Sequence, residues 1–199
     1  MISKRLLSFI LLLVLSASTV TAKEKAYVFT FQPEPTPMSF ITGKRVIISS
    51  KGVTISLEQV AKPSFASQFE IFQANPDIFF FYFKITIRNR SGQPLEVNPI
   101  FFSAQTDERE FRKPLNYDEL YRILGKLYDP SEFKAVISQQ LLDFCSPIEN
   151  GREKTAILIF RNFREKAHQC LIKLDAMSIG GEPLAFKFPY KLHSQAVTK

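Results

Sequence analysis

The sequence has no tryptophan, two cysteines, two histidines, three methionines and seven glycines among its 199 residues. Two cysteines cannot build a disulfide framework, a multi-zinc site or an iron–sulfur cluster. Two histidines leave little room for histidine-based catalysis or a histidine-rich metal site. Seven glycines and twelve prolines are too few for a linker-dominated chain. G-x-S-x-G, H-E-x-x-H and glycine-rich phosphate loops are missing, so the sequence offers no motif for the common hydrolase and nucleotide chemistries. What it does hold is twenty phenylalanines, with 45% apolar and 23% charged residues, the composition of a chain that folds around a core.

Residues 1–22 read as a secretory signal peptide. Lys4 and Arg5 supply the positive start, Leu6 to Leu15 is almost wholly apolar, and Val20-Thr21-Ala22 places small residues at the cleavage site. The apolar run to Val20 is about 15 residues, short of the roughly 20 that span a bilayer, so cleavage after Ala22 is expected rather than anchoring. No cysteine follows the run to carry a lipid, and no later segment is long and apolar enough to span. Cleavage removes Lys4 and Arg5 and lowers the formal charge from +7 to +5. The leader predicts a periplasmic or secreted protein, and the moderate excess of positive charge predicts weak association with an anionic membrane surface. No dense basic run is interleaved with stacking aromatics, so nucleic acid is not an expected partner.

Along the mature chain the apolar period is two. Residues 23–43 read as an extended arm or edge crossing punctuated by Pro33, Pro35 and Pro37, and Tyr27, Phe29 and Phe31 alternate before it as in a short first strand. Val46 and Ile48, then Val53, Ile55 and Leu57, read as two strands joined at Ser50-Lys51-Gly52. Phe65, Phe69, Ile71 and Phe72 form a weaker run. Ile78 to Arg88 is the strongest signal, apolar on both faces in its first half and on one face in its second. Asn89-Arg90-Ser91-Gly92 turns the chain, and this turn role accounts for what is formally a glycosylation sequon. The next strand is expected from Leu95 through Val97, Ile100 and Phe102, with Pro94 and Pro99 at its edge or at a bulge. Further strands follow at 156–160, 170–174 and 184–188.

Residues 116–144 break this pattern. Tyr117, Leu120, Tyr121, Leu124 and Tyr128 recur at helical spacing after a capping-box pair, Asn116 and Glu119. Asp129-Pro130 starts a second helix carrying Phe133, Val136, Ile137, Leu141 and Phe144. The predicted fold is therefore mainly β: an immunoglobulin-like antiparallel β-sandwich over 44–192 with a two-helix insertion at 116–144 and a flexible tail at 193–199. A barrel is the alternative.

Tyr82-Phe83-Lys84-Ile85-Thr86-Ile87-Arg88-Asn89-Arg90-Ser91-Gly92-Gln93-Pro94-Leu95-Glu96-Val97 resembles the strand–turn–strand of many exported bacterial immunoglobulin-like domains, and Lys154 to Phe160 is similar to their next sheet strand. The resemblance extends over about 44–190 and implies a fold but no catalytic residues. The chain departs from these domains in lacking a lipid-attachment cysteine and in carrying the helical pair.

Four constellations invite chemistry. Cys145 and Cys170 are expected to pair in an oxidising compartment, with two reduced thiols or a redox or metal role as the other readings. His168, Cys170 and Met177, with Met38 or His193, are soft enough for copper, although the methionines are few. Asp107, Glu108, Glu110, Asp118 and Glu119 fit charged turns and helix starts better than a paired-carboxylate hydrolase. Tyr117, Tyr121 and Tyr128 suit either core packing or a partner-binding face. The sequence thus predicts a non-enzymatic module without cofactor that contacts an envelope protein, the alternative being a periplasmic small-ligand or copper-binding protein.

Overall fold

Hydrophobic alternation sets the strand pairing, and two antiparallel sheets result. The computed structural model describes residues 25–63, 65, 79–124, 128–142 and 146–198. Its elements are β1 (Lys25–Pro33), β2 (Ser39–Thr42), β3 (Arg45–Ser50), β4 (Val53–Val60), β5 (Phe80–Asn89), β6 (Leu95–Val97), β7 (Phe102–Thr106), β8 (Phe111–Arg112), α1 (Tyr117–Leu124), α2 (Pro130–Ile137), β9 (Glu153–Arg161), β10 (Gln169–Ile179) and β11 (Glu182–Thr198). One sheet has the order β2-β3-β4-β5-β9. The other has the order β1-β11-β10-β7-β8, with β6 pairing β10 beside β7. The expected signal peptide at 1–22 and most of the weak run to Phe72 lie outside the described residues. Among the described residues no helix is long and apolar enough to cross a membrane.

The inward faces interleave into one core. Ile55, Leu57, Phe83, Ile85 and Ile87 come from the first sheet and Phe102, Ile172, Leu174, Phe186 and Phe188 from the second, all fully buried or nearly so. β5 shows why its first half is apolar on both faces. Phe81 and Phe83 enter the main core, while Phe80 and Tyr82 point to the outer face of the same sheet. There they meet Ile157 and Ile159 of β9 and are covered by Leu120 and Leu124 of α1 and Phe133 and Ile137 of α2. The helical pair is thus a lid on one half of one sheet, built around a satellite core.

Its ends follow the sequence signals. The Glu119 N–H donates to Asn116 Oδ1 at 2.8 Å and the Asn116 N–H donates to Glu119 Oε2 at 3.1 Å, a reciprocal cap. Asp129 caps α2 by accepting from the N–H groups of Ser131 and Glu132, with Pro130 at the first helical position.

At the opposite pole the chain reverses through tight contacts. The Arg90 N–H donates to the Gly52 carbonyl at 2.8 Å, and Gly52 has φ +78°. A Cβ at Gly52 would lie 2.7 Å from the Arg90 oxygen, so only glycine fits this close approach. Asn89 is fully buried beside it. Its Nδ2 donates to the Gln93 and Ile148 carbonyls, each at 2.7 Å, and its Oδ1 accepts from the N–H and hydroxyl of Ser91. A side chain enclosed in this way serves the turn and presents nothing to a glycosylating enzyme.

One difference from the sequence reading has a simple cause. The polar stretch after Leu192, expected to fray, is the end of the 17-residue β11. It pairs with β1 throughout, from Pro33↔Tyr190 to Lys25↔Thr198, because a ladder needs backbone groups and one packed face rather than apolar residues throughout. Residues 23–43 supply an edge strand to each sheet, with Tyr27, Phe29 and Phe31 in β1. Side chains close the open side of β1: the Phe31 N–H donates to Gln59 Oε1 at 2.9 Å, Gln59 Nε2 donates to the Phe29 carbonyl at 3.1 Å, and Asn162 Nδ2 donates to the Tyr27 carbonyl at 2.6 Å.

Candidate functional site

Among the described residues, an exposed apolar pair beside the helical insertion follows Asn98. Its Oδ1 accepts from the Ile100 N–H at 3.3 Å and opens a single 3-10 turn, Pro99–Phe101, between β6 and β7. The turn buries Pro99 and leaves Ile100 and Phe101 51% and 54% exposed. Sequence alternation had placed Ile100 in a strand. The asparagine cap and the following proline instead turn the chain out of the ladder, and the apolar pair faces solvent.

Beside this turn, the segments that lead into and out of the insertion run along the free edge of β9. Pro114 bridges to Phe160, and the Leu115 N–H donates to the Ile159 carbonyl at 2.7 Å. Leu141 bridges to Ile157, whose N–H donates to the Gln140 carbonyl at 2.7 Å. Between these segments and the turn lies a groove of about 230 Å³. Pro99, Ile100, Pro114, Leu115, Leu141 and Leu142 form its apolar walls, and Lys113, Asn116 and Glu119 lie on its polar rim. Asn116 and Glu119 are engaged in the α1 cap, so of these rim groups Lys113 alone is not engaged in it.

The tyrosines of the insertion occupy a different place. Tyr117, Tyr121 and Tyr128 are half-buried and ring the fully buried Phe133, with centroid distances of 6.0, 5.8 and 6.2 Å. Their rings pack around Phe133 and join the two helices, and each ring is left partly exposed.

The structure does not assemble the soft metal set. Met177 lies opposite Val97 and Leu184, whereas Cys170 lies opposite Thr106 and Tyr190, towards the other end of β10. Met38 and His168 are exposed and His193 meets Gln32. Among the described residues no three His, Cys, Asp or Glu side chains are grouped to hold a metal.

The acidic side chains close turns. Asp107 accepts from the N–H groups of His168 and Gln169. Burial raises its carboxyl, but these donors outweigh that effect and hold it below the usual carboxylate range. Glu110 accepts from the N–H groups of Arg164 and Glu165 and pairs with Arg112, whose guanidinium sits 5.7 Å from the Phe163 ring centre.

Cys170 is a free, buried thiol, and burial pushes its pKa well up. Cys145, the other half of the expected bridge, lies outside the described residues. Cys170 itself carries no disulfide. A maleimide applied to the folded protein is expected to leave Cys170 unmodified, and urea is expected to expose it without any reductant. Mass spectrometry of the peptide that contains Cys170 reads both outcomes, and a reductant requirement in urea would contradict a free thiol.

No protein-family description, curated protein or solved structure matches the chain.

Proposed function

We propose that this chain is an exported, non-enzymatic module that recognises a protein partner at the bacterial cell envelope. The leader-like residues 1–22 support export to the periplasm or beyond. The strand order supports the immunoglobulin-like reading. β4, β5 and β9 neighbour one another in one sheet and β7, β10 and β11 in the other, with the chain crossing between β5 and β6 and between β9 and β10, in Greek-key fashion. The helical insertion occupies the connection between β8 and β9.

The observation that carries the reading is the apolar groove lined by Ile100, with the exposed Phe101 next to it in the chain. A typical small-ligand cavity measures about 300–1,000 Å³ and encloses most of its guest. A groove of about 230 Å³ open along one side fits one or two apolar side chains of a protein partner better. Burial of large apolar side chains in such a pocket is the usual anchor of a recognition surface.

A photo-crosslinking amino acid at Ile100, in the exported protein in living cells, is expected to yield a discrete adduct that the same probe at Thr54 does not. Leu141→Asp, which places a charge in the groove wall, is expected to reduce that adduct by at least tenfold while the circular dichroism spectrum is kept. An equal adduct yield at Ile100 and Thr54, or an adduct that survives Leu141→Asp, overturns the groove as the recognition site.

A further inference from the structure

The two outer sheet faces treat charge differently. On the β2-β3-β4-β5-β9 face, Arg45 pairs with Glu58 at 2.8 Å and Arg88 with Glu153 at 2.6 Å. On the β1-β11-β10-β7-β8 face, Lys173 of β10 stands directly opposite Lys187 of β11. Lys191 follows four residues along β11 on the same side and is opposite Gln169. The inward neighbours Cys170, Ile172, Leu174, Phe186, Phe188, Tyr190 and Leu192 are buried, which fixes the three lysines outward. Among the described residues none of the three forms an ion pair, and Lys173 Nζ finds only the Gln105 amide oxygen at 3.2 Å. The acids beside this patch are Asp175, two residues past Lys173 at the β-bulge, Glu34, whose N–H donates to the Pro189 carbonyl, and Asp107, whose carboxylate accepts from the N–H of Gln169, the residue opposite Lys191. Between the lysines the face is low and apolar, with half-buried Leu171 opposite Pro189. Like charges directly opposite across a ladder are destabilising, so this pair is retained against a local cost. The helical lid covers the other sheet and leaves this face open.

We infer that this face docks on anionic phospholipid headgroups through Lys173, Lys187 and Lys191. The inference rests on the reading that the chain works at the envelope. The three lysines stand side by side on one sheet face, and a plane of phosphates offers a counter-charge to every lysine at once. The groove at Ile100 lies on another side of the sandwich, so membrane docking leaves it free for a protein partner.

The test is co-sedimentation of the mature protein with phosphatidylcholine vesicles, with and without phosphatidylglycerol. Binding is expected only with phosphatidylglycerol, and it is expected to fall steeply between about 50 and 300 mM salt as the Debye length shortens. Lys173→Gln, Lys187→Gln and Lys191→Gln together are expected to weaken it about a hundredfold. Arg45→Gln, Lys84→Gln and Arg88→Gln, an equal loss of charge on the other face, are expected to change it less than threefold. Similar losses from both triple variants mean that net charge acts without a dedicated face, and this overturns the inference. Binding to soluble polyglutamate without binding to vesicles overturns it also. Leu141→Asp is expected to leave vesicle binding intact, so failure of the groove and failure of the lysine face are read separately.

Discussion

Asn89→Ala is expected to destabilise the protein by about 3 kcal/mol, which is large against the 5–15 kcal/mol that typically holds a domain. The side chain is fully buried and makes four hydrogen bonds that tie the β5 turn to the segment around Ile148 that leads into β9. Alanine removes one donor from each of the Gln93 and Ile148 carbonyls, which keep the Ser91 hydroxyl and the Leu95 N–H, and it removes the acceptor of the Ser91 N–H. Four bonds lost at a buried site, at about 1 kcal/mol each, set the scale of the effect. A fall in the urea midpoint at unchanged slope is the readout. Asn89→Asp separates the two halves of the network: it keeps an acceptor for Ser91 and loses the donor, and it is expected to cost nearly as much. A loss below 1 kcal/mol for Asn89→Ala would show that the turn is held chiefly by its backbone bonds, such as Gly151 N–H to the Asn89 carbonyl.

The second large effect is expected from Phe133→Ala, and it should be local. Phe133 is fully buried under three tyrosine rings, and emptying such a site costs about 3–5 kcal/mol. The cavity opens in the satellite core, however, on the outside of the sheet and away from the interleaved Phe and Ile residues of the main core. Hydrogen exchange is expected to accelerate across 117–137 while the β10–β11 ladder keeps its protection. Groove crosslinking at Ile100 should fall with it, because Leu115 and Leu141 are held by the chain that leads into and out of the helices. Uniform loss of protection across the whole protein would mean that lid and sandwich open together.

These sites differ in how far the sequence announces them. β5 is legible because its two faces serve two cores, and both alternations stand in Phe80 to Ile87. The helices are legible because Asn116, Glu119, Asp129 and Pro130 satisfy local backbone needs that no distant residue has to meet. The groove is not legible. Its exposure depends on a three-residue turn at Pro99–Phe101, within a stretch whose apolar spacing looks like a strand. The lysine face is also hidden, since Lys173 and Lys187 become neighbours only through the register of a hairpin with a bulge. The C-terminal segment misleads for a related reason. Its ladder partner is the first strand of the structure, at the other end of the chain, and its polar residues carry no trace of it. Long-range pairing decides each of these cases, whereas local chemistry decides the helices and turns.

The amides of Gln59 and Asn162 have a consequence for how this molecule is met by others. A bare outermost strand invites a foreign segment to continue the sheet, which is the route of strand donation and of fibril growth. Gln59 answers both a donor and an acceptor on β1 as a peptide unit would, and Asn162 answers a second acceptor. Three outward backbone groups of that flank are therefore already taken, which hinders backbone zippering there and favours a visitor that fits its side chains to those of the surface.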